Sequence, residues 1–172
     1  MAILNIVPEC FVDTKVAEIL GQAKRYNHQH GCGDVANELK KKLQNNIALG
    51  IIDEDKNKGP AAKYLLEFKS IAEENSLFLK RHPQRNHYLI IICPEIESWL
   101  LNNANSVGLN PIDFGLEDNL KGFKQITKIK SIDNNIGFYR FIKELIKKET
   151  PGVITLKNWI EAFTKRELPF LP

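Results

Sequence analysis

The sequence predicts an α/β domain with a mainly parallel sheet flanked by helices, followed by a C-terminal helical appendage. Three observations predict it. Short apolar runs at residues 2–7, 47–52 and 88–93 alternate with segments of helical periodicity. The last run is apolar throughout, as a parallel strand covered on both faces would be. The chain has 172 residues, 43% hydrophobic and 26% charged, which is enough for one real core and excludes a disordered or fibrous chain.

The elements follow in order. Residues 2–7 read as a short, mostly buried strand. Asp13 is placed to cap a helix whose inward face is Val16, Ile19, Leu20 and Ala23. Gly31 and Gly33 break the chain before a second helix that starts at Asp34 and ends on Lys40, Lys41 and Lys42, where the helix dipole favours cations. Residues 47–52 are a second strand, stopped by Asp53, Glu54 and Asp55. A third helix is expected with Tyr64, Leu65, Phe68, Ile71 and Ala72 on its apolar face. Residues 76–79 are a short strand candidate. The loop at 81–87 then leads into the strand at 88–93, which places His82 and His87 on the surface. Pro94 opens a helix over 95–103.

Residues 105–118, rich in Asn, Gly and Pro, mark a boundary. It divides an α/β domain at 1–104 from a basic helical appendage at 119–172. In the appendage Phe138, Phe141, Ile142, Leu145 and Ile146 form one stripe, and Trp159 and Phe163 anchor a last helix. Trp99 and Trp159 both fall in apolar stripes and read as core anchors. No internal repeat is present.

Charge is unevenly distributed. Residues 1–118 carry 13 Lys/Arg against 16 Asp/Glu, a net of −3; residues 119–172 carry 11 against 5, a net of +6. An acidic body with a basic tail segment suits cation binding plus contact with something anionic. Lys121, Lys124, Lys128, Lys130, Arg140, Lys143, Lys147 and Lys148 are candidates for a basic surface, with ordinary solvated faces as the alternative. Cys10, Cys32 and Cys93 form no CxxC pair and read as thiols. The apolar run ending at Cys93 is far short of the roughly 20 residues of a membrane span. No basic leader precedes residue 7, so a cytoplasmic location is expected.

The three apolar runs all lead into acid: Glu9 after the first, Asp53 and Asp55 after the second, Glu95 and Glu97 after the third. In open α/β sheets, ligands bind outside the carboxyl ends of the strands. Parallel strands would therefore gather these carboxylates at one rim, where a divalent cation with hard oxygen ligands, Mg²⁺ or Mn²⁺, would relieve their repulsion. Asp53 and Asp55 are two apart, so in extended backbone their side chains point the same way. Such a pair also occurs in ordinary turns.

The stretch 6–20, with Glu9 ending a strand and Asp13 and Thr14 starting a helix, resembles the first motif of the Toprim fold shared by primases, topoisomerases and overcoming-lysogenization-defect nucleases. The segment 50–55 resembles the second Toprim motif, a hydrophobic strand followed by Asp-x-Asp. Residues 93–101 are similar to a Pro, hydrophobic, Glu, x, Trp, Leu, Leu segment of small Toprim-like proteins found beside phage-defence ATPases; Glu97, two before Trp99, matches its glutamate. Cys10 stands where the family has glycine. The resemblance spans residues 1–101. It implies Glu9 as acid/base, Asp53 and Asp55 as metal ligands, Glu97 as a further ligand, and a Mg²⁺- or Mn²⁺-dependent nuclease on DNA or RNA, possible roles including phage defence with an ATPase partner.

Lys15 and Lys56, with Lys143 and Lys147 in the appendage, are candidate phosphate contacts, and His30 a candidate metal or phosphate contact. Two other readings stay open. One is a non-catalytic Toprim-like module that binds nucleotide, nucleic acid or a partner ATPase. The other is a receiver-like domain, against which stands the absence of a lysine after a later strand.

Overall fold

The computed structural model describes residues 5–54 and 59–167. Asp55, Lys56 and Lys58 lie outside the described residues, as do residues 2–4 of the expected first strand.

Strand β1 (Ile6–Pro8) leads into helix α1 (Phe11–Leu20), and α2 (Cys32–Asn37) continues as a π turn over Glu38–Lys42. Strand β2 (Ala48–Asp53) is followed by a 3-10 helix (Pro60–Glu67), the strands β3 (Lys69–Glu74), β4 (Leu77–Arg81) and β5 (His87–Ile92), and helix α3 (Ile96–Ser106). Helices α4 (Leu120–Thr127), α5 (Ile136–Lys147) and α6 (Pro151–Lys165) close the described chain. The five strands form one mixed sheet in the order β1-β2-β5-β4-β3. β1, β2 and β5 are parallel neighbours, with Val7 opposite Gly50 and Gly50 opposite Leu89; β4 pairs antiparallel with β5, and β3 pairs antiparallel with β4 at the edge. The parallel core is the arrangement expected from apolar strands joined by helical crossovers.

The two-residue period of the strands divides the core into two layers. Ile6, Leu49, Ile51, Tyr88, Ile90 and Ile92 face a large cluster with α1, α3, α4, α5 and α6. Val7, Ala48, Ile52, Leu89 and Ile91 face a smaller one with α2 and the 3-10 helix. Gly50 lies on the smaller side, where a Cβ would come within 3.2 Å of Leu89, Val35 and Leu39, so its bare backbone lets α2 settle against the sheet. Phe123, Phe138, Phe141, Leu145, Leu156 and Ile160 belong to the same cluster as the sheet residues Ile6 and Tyr88. Trp99 is buried there, and its indole N–H donates to the Asn75 carbonyl at 3.0 Å.

Two expectations are corrected. The helix expected to run through Ala72 stops at Glu67, and Ile71 and Ala72 belong to β3. The cause is the turn Asn75-Ser76: both residues have positive φ, 51° and 60°, as the favoured two-residue hairpin turns require. Pairing Glu74 with Leu77 draws 69–74 into the sheet, with a bulge between Ser70 and Ala72. His82 and His87 are buried, not on the surface. His87 opens β5, donates Nε2–H to the Leu43 carbonyl at 2.9 Å, and accepts from the Tyr64 hydroxyl at 2.6 Å. Burial pushes its pKa down, in keeping with a neutral ring. His82 stacks on Tyr64 and reaches Glu67 at 3.1 Å.

Short polar side chains set the helix starts in the C-terminal third. Asn119 Oδ1 accepts from Gly122 N–H and Asn135 Oδ1 from Phe138 N–H. Gly137, the second residue of α5, lies against the Phe114 carbonyl, and a Cβ there would run into that oxygen. Gly137→Ala should therefore cost about 1–3 kcal/mol through overpacking. At about 2–4 °C per kcal/mol, a melting curve reads that as a clear fall in Tm. An unchanged Tm would mean that this close approach carries no strain. Among the described residues, no helix is long and apolar enough to cross a membrane.

Candidate acidic site at the carboxyl rim of the parallel strands

The rim is built by the ladder. Glu9 lies one residue beyond β1, and its N–H still donates to Ile51 O at 2.9 Å, which fixes its backbone beside the end of β2. Its Oε2 accepts the Asp53 N–H at 2.9 Å. Asp53 is the last residue of β2, and its Oδ1 accepts the Ile96 N–H at 2.8 Å in the first turn of α3. Glu97, also in that turn, is 2% exposed, and its Oε1 accepts the Thr127 hydroxyl of α4 at 3.1 Å. A fourth carboxylate arrives on α1. Asp13 is 1% exposed; its Oδ2 accepts from the Cys10 thiol at 2.9 Å, and its Oδ1 has no hydrogen-bond partner among the described residues.

These groups feel one another. Burial, followed by the charges of Glu9 and Glu97, pushes the Asp53 carboxyl up to about 8. Burial and the Asp53 charge hold Asp13 well above the usual carboxylate range. The Cys10 thiol is pushed up by burial and by Asp13, so it is no nucleophile as it stands. Glu95 differs from these: burial acts upward on it, but hydrogen bonds from Lys124 (2.6 Å) and Ser98 (3.0 Å) outweigh that and keep its pKa low.

Glu9, Asp53 and Glu97 line a cavity of about 560 Å³, together with His28, His30 and Lys128. His28 stacks on Phe11 with ring centroids 4.5 Å apart. Thr14 gives its hydroxyl proton to Cys10 O at 2.7 Å, so the 2.9 Å contact between Thr14 Oγ1 and His28 Nδ1 requires His28 to donate. The neutral ring then carries its lone pair on Nε2, which is buried without a partner among the described residues.

The structure thus brings Glu9, Asp53 and Glu97 together. Lys15 lies elsewhere: its Nζ donates to Asp133 O at 2.7 Å, and with Lys143 it lines a neighbouring cavity. Lys147 is exposed on α5, 3.8 Å from Glu144. Asp13, which the sequence offers as a helix cap, and Lys128, which it offers only as part of a basic surface, both belong to this site. Asp13 reads as a helix cap until α1 is seen to start two residues earlier, which moves it one turn inward from Glu9. Among the described residues, no group of three or more His, Cys, Asp or Glu side chains stands ready-made to hold a metal ion.

Compared with known proteins, the chain matches no family model, no curated protein and no solved structure.

Proposed function

We propose that the acidic rim is the active site of a metal-dependent phosphodiester hydrolase of Toprim type, acting on nucleic acid. The observation that carries this reading is the convergence of Glu9, Asp53 and Glu97, from three elements, on one partly buried cavity. Like charges held together out of water cost stability, and such perturbed groups cluster where chemistry is done. The donor set suits a hard divalent cation: carboxylate oxygens, with a buried Asp13 oxygen lacking a partner behind them.

Glu9, Asp53 and Glu97, with Asp55, would hold Mg²⁺ or Mn²⁺, which when bound polarises a phosphoryl oxygen and acidifies water. The chain's own residues do the rest. The Ile96 N–H and the Thr127 hydroxyl orient Asp53 and Glu97. Glu9, whose Oε2 accepts the Asp53 N–H beside the end of β2, would take a proton from attacking water. Lys128, lining the same cavity, meets the phosphate. A role in phage defence beside an ATPase rests on the resemblance alone.

A second reading is favoured by one observation: Glu9, Asp53 and Glu97 each commit an oxygen to a bond that ties elements of the fold together. On that reading the acids are structural, and the protein is a non-catalytic module for nucleotide, nucleic acid or an ATPase.

Melting curves with Mg²⁺ and Mn²⁺, together with cleavage assays on single-stranded, duplex and nicked DNA and RNA, separate the two. Saturating metal should stabilise the parent by about 2–3 kcal/mol at a hundredfold excess over Kd. Asp53→Ala should lose both the shift and the cleavage. A metal shift without cleavage of any substrate selects the module; neither shift nor cleavage discards the metal site.

A further inference from the structure

Beside the acidic cavity lies a second, larger one of about 980 Å³ between α1 and α5, and the two share Phe11, His28 and His30 as a common wall. Its character is opposite. Among the described residues, Lys15, Lys24, Arg25, Lys130 and Lys143 line it, against two acids, Glu18 and Asp133. Glu18 is already engaged, because its Oε1 accepts the backbone N–H groups of Arg25 and Tyr26. The floor is apolar, with Ile19 and Ala23, and Tyr139 stands in the lining with 45% of its surface exposed.

We propose that this cavity is a track for a single-stranded polynucleotide, which crosses the wall of Phe11, His28 and His30 to present a phosphodiester to Glu9 and Asp53. The proposal rests on the hydrolase reading for its direction but not for the binding itself. The cations meet backbone phosphates, and Tyr139 offers a face on which a base stacks. A duplex keeps its bases internal, so it would leave the concave apolar floor and the Tyr139 ring without partners. The track adjoins the acidic cavity across that shared wall, which also explains why a basic cavity sits beside a negatively charged one: the flanking strand supplies attraction where the acids alone would repel a phosphate.

The test is fluorescence anisotropy in EDTA at low salt, with labelled 12-nucleotide single-stranded DNA, the matching RNA and the 12-base-pair duplex. The track variant is Lys24→Glu/Arg25→Glu/Lys143→Glu. The control, Lys41→Glu/Lys63→Glu/Lys69→Glu, changes net charge equally at exposed residues that line neither cavity. The track variant should bind single strands at least about tenfold more weakly, with a salt slope shallower by about 0.7 per lost phosphate contact. The control should stay close to the parent. Tyr139→Ala should weaken single-strand binding by about fivefold or more, through the lost stack, and Tyr139→Phe should restore it. The sugar bound more tightly distinguishes DNA from RNA. Equal weakening in both triple variants, or a duplex bound as tightly as the strand, overturns the proposal. Because no metal is present, strand binding through the track with no cleavage under Mg²⁺ would sink the hydrolase reading and leave the track standing. Cleavage by the track variant with parental KM would do the reverse.

Discussion

Without divalent metal, the protein should lose stability as pH rises from about 4 to about 8, and Asp53→Asn should remove most of that loss. Asp53 titrates near its ordinary 3.8 in the unfolded chain and at about 8 in the fold, because of burial and the charges of Glu9 and Glu97. Between those values the folded protein holds a proton that the unfolded chain has given up. Unfolding free energy therefore falls with pH across that window and levels off above the folded value. Asp13, also raised, acts in the same direction. Each unit of difference is worth about 1.4 kcal/mol, so the total is several kcal/mol. At about 2–4 °C per kcal/mol, that is a fall of roughly 10 °C in Tm. Asn at position 53 keeps an oxygen for the Ile96 N–H but carries no charge at any pH, so it should be more stable than the parent at pH 8.5 and nearly equal at about pH 4. Adding Mg²⁺ at pH 8.5 should restore the parent and leave the Asn variant unmoved. A parent Tm that is flat across the range would show that the four carboxylates do not share one field.

The parallel half of the fold was legible because its signals are local and redundant. Three apolar runs bounded by turn residues and separated by helical periodicity leave few topologies for a parallel sheet, and Glu9, Asp53 and Glu97 followed from their places just beyond those runs. The antiparallel half was not legible in the same way. Tyr64, Leu65, Phe68, Ile71 and Ala72 do fit a helical face, and only the pairing across Asn75-Ser76 turns the last two into strand residues. Two consecutive residues of positive φ are a tertiary fact that a propensity window cannot supply, although Asn in a two-residue gap between apolar runs is a usable cue. His82 and His87 were misplaced for a related reason. Their loop looks polar in sequence, but β4 and β5 pair back through it: His82 N–H donates to His87 O at 2.9 Å, and both rings turn inward onto Tyr64. The basic cavity has no sequence signature because its cations come from α1, the turn that follows it, the 130–134 turn and α5, and no linear charge run joins them.

Glu9→Gln should lower metal-dependent cleavage by about 10²–10⁴ while leaving the fold and single-strand binding intact, the range that loss of a general base gives. The substitution is well posed because Glu9 has two separable jobs. Oε2 accepts the Asp53 N–H at 2.9 Å, and a glutamine carbonyl oxygen can do the same, so the end of β2 stays pinned. The other oxygen becomes an amide NH₂, which cannot take a proton from water and is a poor metal ligand. The effect should therefore fall on kcat, with KM changed much less, because the track between α1 and α5 is untouched. A structural readout accompanies the kinetic one. After burial, the charge of Glu9 is the largest cause raising Asp53, so its removal should let the Asp53 carboxyl ionise at lower pH. The decline of metal-free stability should shift toward acid accordingly. If cleavage persists while that shift appears, Glu9 shapes the field of the site without serving as its base, and the proton must go elsewhere; a candidate acceptor in the wall of the cavity is then His28 Nε2, and His28→Gln becomes the decisive variant. If neither cleavage nor the pH midpoint moves, Glu9 stands outside the acidic field altogether, and the rim cannot work as a single site.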